Sequence, residues 1–430
     1  MSAQKAGAKA LGIGLLLAPA VILITALATG VAGQSEDPAK LYSHKRFFEL
    51  RSLLESATAN TPDILFYRGM VANAFNQPAA SADFLTALLR AAGKDLPDTT
   101  ITEVLGALDD DYSRLFQYAK AADVRDKLLP FLQKDLPPQE LSSFKSVTAF
   151  WRWMATTSPQ TVEIPGDTVI DMTEGGEVPV EINGLKVPLL PDTGSALCMI
   201  VRPEAERLGL EVLDINVEVG TATGKAIKAK PCLVPEMSLA GITVRNAVFL
   251  VVPEEMLYFP DIRRQLKGLM GFPILNGLTE LAFTRTRRLI VTSPPKLEGP
   301  PNVFLVRTDP IVEVQYQGQS LQFFLDTGAF QTELYPRFFK AFEPEILKHG
   351  IYVPATVEGV GTHAKAPVYL VSDLTFRVAG KDVRFSHTVP VLTRPTGPMS
   401  DVLDGTFSLD ILAGHEELAL NYAAMRMSLR

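Results

Sequence analysis

Cysteine is scarce. Only Cys198 and Cys232 occur in 430 residues, which excludes a disulfide framework and leaves two readings open: one bridge in an exported chain, or two small buried thiols. The five histidines are scattered and no Cys/His spacing fits a zinc site or a thiol nucleophile, so no metal and no cofactor is expected. Long basic runs are missing too. The net charge is −7 and the densest basic cluster is Arg285-Thr286-Arg287-Arg288, read as a solvated turn or strand end, which argues against nucleic acid as a partner. The acidic run Asp109-Asp110-Asp111 is read in the same way, as a solvated helix start.

Charge of either sign disappears from Ala10 to Ser35, a stretch of 26 residues (35 − 10 + 1). A bilayer needs about 20 apolar residues, and Lys5 and Lys9 before the run with Glu36-Asp37 after it orient the bulk of the chain outside the cytoplasm. Residues 1–35 are therefore expected to be a signal or anchor segment. The protein would be membrane-anchored facing outward or exported, with Ala26-Leu27-Ala28 and Gly30-Val31-Ala32 as small-residue cleavage sites.

The remaining length suggests several compact units. Residues 38–155 put apolar side chains at spacings of three and four, as in FFELRSLLESA, ADFLTALLRAAG and VRDKLLPFLQ, which predicts helices. Gly69 and Gly106 lie 37 apart in similar contexts (106 − 69), and YRGMVANAF with the Ala-rich segment after it resembles a tetratricopeptide helix pair, a plain bundle being the other reading. Such a region is a candidate surface for a protein partner. After Pro159, short Val/Ile/Phe-rich segments punctuated by Gly and Pro predict an all-β region. The linker SPPKLEGPP splits it into residues 162–292 and 302–430.

Each half contains Asp-Thr-Gly after an apolar run: LLPDTGSA at Asp192-Thr193-Gly194 and FFLDTGAF at Asp326-Thr327-Gly328. One chance copy in a chain of this length has odds of about one in ten, and two copies about one in a few hundred. Other landmarks repeat as well. Gly184 and Gly318 each stand eight residues before the acid, Val219-Gly220-Thr221 answers Val360-Gly361-Thr362, and KGLMGFPIL answers DGTFSLDIL. The offsets are 134 (326 − 192), 141 (361 − 220) and 137 (404 − 267), the small drift expected of an internal duplication.

Two acids in this setting resemble the aspartic proteases, and the short repeat length resembles the retropepsin-like type. The resemblance covers residues 162–430 and implies an all-β, double-lobed acid-protease fold behind an all-α region. It implies an endopeptidase in which Asp192 and Asp326, one from each lobe, activate a water against a peptide bond of a peptide or protein substrate. Two carboxyls in hydrogen-bond reach share one proton, since like charges that close do not both ionise. Thr193 and Thr327 are expected to lock the two acid loops together, Gly194 and Gly328 to let them turn sharply, and Ser195 to hold its carboxylate through its hydroxyl. Ala329 lacks that hydroxyl, so the acids should be inequivalent. Gly220, Thr221 and Gly224, and Gly361 with Thr362, are flap candidates on hairpin tips. The pattern is broken at Ser408, which stands where the first half has Gly271. Ser408 is either strained, in which case Ser408→Gly helps, or accommodated by a hydrogen bond to the acid loop, in which case the change harms. Competing with the enzyme is a non-catalytic peptide-binding protein of the same fold, and, as a third arrangement, lobes that pair between chains.

Overall fold

The computed structural model describes residues 37–220, 226–359 and 362–430. The expected signal or anchor segment lies outside them, and among the described residues no helix is long and apolar enough to cross a membrane.

From Pro38 to Met154 the chain is helical: α1 (Pro38–Ser43), α2 (Phe47–Glu55), α3 (Pro62–Ala74), α4 (Pro78–Ala92), α5 (Asp98–Arg114), α6 (Tyr118–Leu132) and α7 (Pro138–Met154). Proline opens α1, α3, α4 and α7, at the position where its missing N–H is no loss. Thr61 caps α3 by accepting from the Ile64 N–H at 3.4 Å. Three residues join α3 to α4 and α5 to α6, and each turn carries one left-handed residue, Asn76 (φ 54°) and Phe116 (φ 55°). A Cβ on Gly69 would stand 2.4 Å from Leu85, so the approach of α3 to α4 requires glycine there.

The acidic run is not a solvated helix start. Asp109, Asp110 and Asp111 are buried in the last turns of α5. Arg125 of α6 donates to Asp109 at 2.6 Å, Arg114 to Asp110 at 2.6 Å, and the Asn73 amide to Asp111 at 2.8 Å. Buried charge survives only when paired in this way. The partners come mostly from neighbouring helices, beyond the reach of a local charge pattern.

The β region contains two sheets of matching path. The first is ordered, by strand, Thr161–Glu163, Ile242–Val252, Cys198–Val201, Gly268–Met270, Leu185–Pro191, Val178–Ile182, Ala226–Leu239 and Val217–Gly220, and pairing of Ala226–Leu239 with Ile242–Val252 closes it into a barrel. In the second, the sequence of neighbours is Val389–Leu392, Glu333–Leu334, Gly405–Phe407, Gln319–Leu325, Asp309–Tyr316, Leu374–Val378. In both sheets the acid-bearing strand runs parallel to the Gly-led strand, Leu190 beside Leu269 and Phe324 beside Thr406. Each acid strand is fed by a tight turn, Asn183-Gly184 (φ 51° and 74°) or Gln317-Gly318 (φ 48° and 79°), a pair of left-handed residues that matches strand twist. Cys198 and Cys232 are free and buried, which decides between the two readings left open above.

A third sheet mixes strands from both halves. Glu280–Thr284 pairs antiparallel with Glu417–Asn421 over five registers. The buried Glu280 carboxylate accepts from the Lys296 and Leu297 N–H groups at 2.7 and 2.6 Å and from Asn421 at 3.2 Å, tying the linker to this shared sheet. The helices dock on the same body. Phe304 meets Phe47 and Phe48 at ring distances of 5.2 and 5.7 Å, and Asn76 donates to Asn276 and to the Tyr422 carbonyl at 2.8 and 3.0 Å.

Candidate active site

Strands Leu185–Pro191 and Gln319–Leu325 end on Asp192 and Asp326, and these ends face each other. A Cβ on Gly194 would lie 2.6 Å from the Asp326 carboxyl, and one on Gly328 would lie 2.4 Å from that of Asp192. Each glycine therefore leaves the space its opposite acid fills. The two carboxyls are within hydrogen-bond reach of each other.

The threonines cross between the halves. The Thr193 N–H donates to Thr327 Oγ1 and the Thr327 N–H to Thr193 Oγ1, both at 3.0 Å. The hydroxyls in turn donate to the carbonyls of Leu325 (2.6 Å) and Pro191 (2.8 Å). Proline before the first acid is thus tolerated, because the interlock uses its carbonyl and never an N–H.

Ser195 does not hold the carboxylate. Its hydroxyl donates to the Leu197 carbonyl at 2.7 Å, which closes its own loop instead. The acids are inequivalent for another reason. Asp326 Oδ1 accepts two backbone N–H groups, Gly328 at 2.9 Å and Ala329 at 3.1 Å, whereas Asp192 Oδ1 accepts one, from Gly194 at 2.8 Å. Burial raises the proton affinity of both. Asp192 has fewer backbone donors and has Asp326 and Asp309 nearby, and the two carboxyls titrate as one coupled pair.

Gly271 and Ser408 adopt nearly the same extended backbone, φ −91° and −94°, so positive φ is not the reason for glycine. Close approach is: a Cβ on Gly271 would stand 2.5 Å from the Leu197 carbonyl oxygen and 2.6 Å from that of Ser195. In the second half a Cβ occupies this place, and the acid loop is held differently. The Ser408 hydroxyl accepts from the Asp410 N–H at 3.1 Å, and the Asp410 carboxylate accepts the Thr332 N–H at 2.8 Å and hydroxyl at 2.5 Å. The Ser408 hydroxyl thus caps its own turn, and among the described residues it makes no hydrogen bond to the acid loop.

A cleft of about 500 Å³ opens over the two acids. Gly220 lines it with Glu218 and Val219. Thr221, Gly224 and Gly361 lie outside the described residues, and Thr362 starts a strand paired with Ile351–Gly359. Several lining residues were not expected. Phe116, Tyr118, Val147, Phe150 and Trp151 come from the helical region, and α7 is linked to the strand Val217–Gly220 by a Ser143–Glu218 hydrogen bond. Arg307, Asp309 and Glu333 add charge; Glu333 alone was legible, standing as far past Asp326 as Met199 stands past Asp192 (333 − 326 = 199 − 192 = 7).

No curated relative matches the chain. Among solved structures, a retropepsin-like aspartic protease from Rickettsia conorii is similar at 17% identity, covering 31% of this chain and 95% of that one, with a TM-score of 0.21. Residues 178–274 match the aspartyl protease family model. That segment contains Asp192-Thr193-Gly194 and ends three residues after Gly271, so the part of the chain that matches the aspartyl protease family is the unit built around the first acid.

Proposed function

We propose that the protein is an aspartic endopeptidase whose single site uses Asp192 and Asp326 together. The observation that carries this reading is the face-to-face placement of the two buried carboxyls, held by a reciprocal threonine interlock at the floor of a peptide-sized cleft. Asp326, ionised, takes a proton from a water whose oxygen attacks the peptide carbonyl carbon. Asp192 gives its proton to the carbonyl oxygen, so a tetrahedral diol forms without free hydroxide. In the second step Asp326 gives its proton to the amide nitrogen, a diol hydroxyl returns a proton to Asp192, the C–N bond breaks, and a carboxylic acid and an amine leave.

Two lobes arisen by duplication and paired within one chain belong to this proposal. Support comes from the matching strand paths and from the shared sheet between Glu280–Thr284 and Glu417–Asn421. Export or tethering through residues 10–35 rests on their uncharged run; digestion of the chain beyond residue 40 only after the cytoplasmic face is exposed to protease would overturn it. The helical hairpins, of tetratricopeptide-like spacing, wall the cleft as well as presenting an outer face to a protein partner.

The test is peptide cleavage by residues 37–430 between pH 3 and 7, with and without a statine-type transition-state analogue. Asp192→Asn or Asp326→Asn should each remove nearly all turnover, and the double variant little more, because groups acting as one unit are non-additive. Normal turnover in either single variant would sink the shared-site reading. Tight peptide binding with no cleavage by the unaltered protein would favour the non-catalytic binder.

A further inference from the structure

The two halves of the cleft follow the same strand path but carry opposite chemistry at one equivalent pair. In the first half Met199 faces Leu269 across antiparallel strands. In the second, Glu333 faces Thr406 in the corresponding strands. All four residues line the cleft. Met199 and Leu269 are buried in an apolar cluster with Trp151, Leu190 and Phe259. Glu333 is half-buried at the equivalent position, and no hydrogen bond or ion pair to its carboxylate is found among the described residues.

A carboxylate there is expensive to keep. Burial and the charge of Asp326 push Glu333 up to about 7. The cleft's cations do not answer it: Arg114 is engaged by Asp110 and Asp111, and Arg307 lies in the field of Asp110, Asp109 and Asp309. Thr406 Oγ1 accepts from the Tyr335 hydroxyl at 3.0 Å, and no hydrogen bond from Thr406 to the Glu333 carboxylate is found among the described residues. Methionine serves the equivalent position in the first half, so the fold itself does not call for an acid. An anionic or apolar ligand group would aggravate the burial of Glu333, whereas a cation would relieve it.

We propose that Glu333 is a specificity-determining residue that binds the Lys or Arg side chain of a substrate peptide, while Met199, Leu269 and the aromatic wall from α7 take a large apolar side chain on the other side of the scissile bond. This rests on the peptidase reading and deepens it: the substrate class is a peptide with a basic residue and a bulky apolar residue flanking the cut. Asp309, the other enclosed acid beside the dyad, already has Arg307 for company, which leaves Glu333 as the group that selects.

The experiment uses ten-residue peptides, acetylated and amidated so that no terminal charge competes, which differ at one position near the cut by Lys, Met or Glu. Cleavage is followed in the unaltered protein and in Glu333→Gln, Glu333→Met and Glu333→Asp. The Lys peptide should exceed the Met peptide at least tenfold in kcat/KM, Glu333→Met should erase or invert that preference, and Glu333→Asp should keep most of it. The same peptides are titrated calorimetrically against the Asp192→Asn protein with and without Glu333→Met. This arm separates the two readings: Lys-selective, Glu333-dependent binding without any cleavage would overturn the peptidase while upholding the selectivity. Equal discrimination between Lys and Met with and without the Glu333 carboxylate, in both arms, would overturn the selectivity.

Discussion

Thr193 and Thr327 each donate a backbone N–H to the other's hydroxyl oxygen at 3.0 Å, so neither acid loop can shift without displacing the other. Each hydroxyl is donor and acceptor at once, to a carbonyl and from an N–H of the opposite half. Thr193→Val keeps the shape but orphans the buried Thr327 N–H and Leu325 carbonyl. The expected loss is about 2–6 kcal/mol, from roughly 1–3 for each of the two buried unsatisfied groups. Denaturant unfolding reads it, and the Thr193→Val/Thr327→Val double variant should lose less than the sum of the singles, since the two residues share their bonds. A midpoint equal to that of the unaltered protein would show that the interlock bears no load.

Asp309 provides a pH test. Burial is the main cause that pushes its carboxyl up to about 7, above the ordinary value near 4 of an unfolded chain. Between those values the folded state holds a proton that the unfolded state has released, so the contribution to stability falls as pH rises from about 4 to about 7 and is level outside that window. Asp309→Asn should remove at most about 4 kcal/mol of this decline. The measurement is the difference in unfolding free energy between the two proteins at pH 4, 5.5 and 7; a constant difference across the series contradicts the assignment.

Gly271 and Ser408 should both lose on exchange, to different degrees and for different reasons. Ser408→Gly loses the hydroxyl that accepts from Asp410 and frees the backbone in the unfolded state, for about 1–2 kcal/mol. Activity should fall modestly with it. Gly271→Ser drives a Cβ into the carbonyl oxygens of Leu197 and Ser195 and should displace the Asp192 loop, leaving little turnover. Thermal melting and kcat/KM decide the matter; higher stability in Ser408→Gly would mean that the serine is strained after all.

The buried pair Arg125–Asp109 links α6 to α5, with Arg125 also bonded to Thr148 and the Phe144 carbonyl of α7. Removing one partner leaves an uncompensated buried charge, so Asp109→Ala should destabilise by about 3–5 kcal/mol. Because α7 walls the cleft, KM should rise more than kcat falls in whatever folded protein remains. Unchanged KM in a folded Asp109→Ala protein would separate the helical pair from the cleft.

The sequence by itself determined the division into a helical and a β region, the two acid loops and their glycine and threonine neighbours, because these follow from local periodicity and from a repeat that can be counted. Asn183-Gly184 and Gln317-Gly318 belong to the same class: left-handed φ is a property of two adjacent residues. Only the tertiary structure decided what depends on which distant groups meet. Asp109, Asp110 and Asp111 read as a solvated run and are buried, since their counter-ions lie on other turns and other helices. Ser195 reads as a partner of its carboxylate, yet a carbonyl two residues on offers its hydroxyl a better acceptor. Phe150 and Trp151 fall in the region whose spacing predicts helices, and they wall the cleft. That wall required α7 to dock against Val217–Gly220, a contact between segments some 70 residues apart (217 − 147), set by burial of apolar surface that no local pattern encodes.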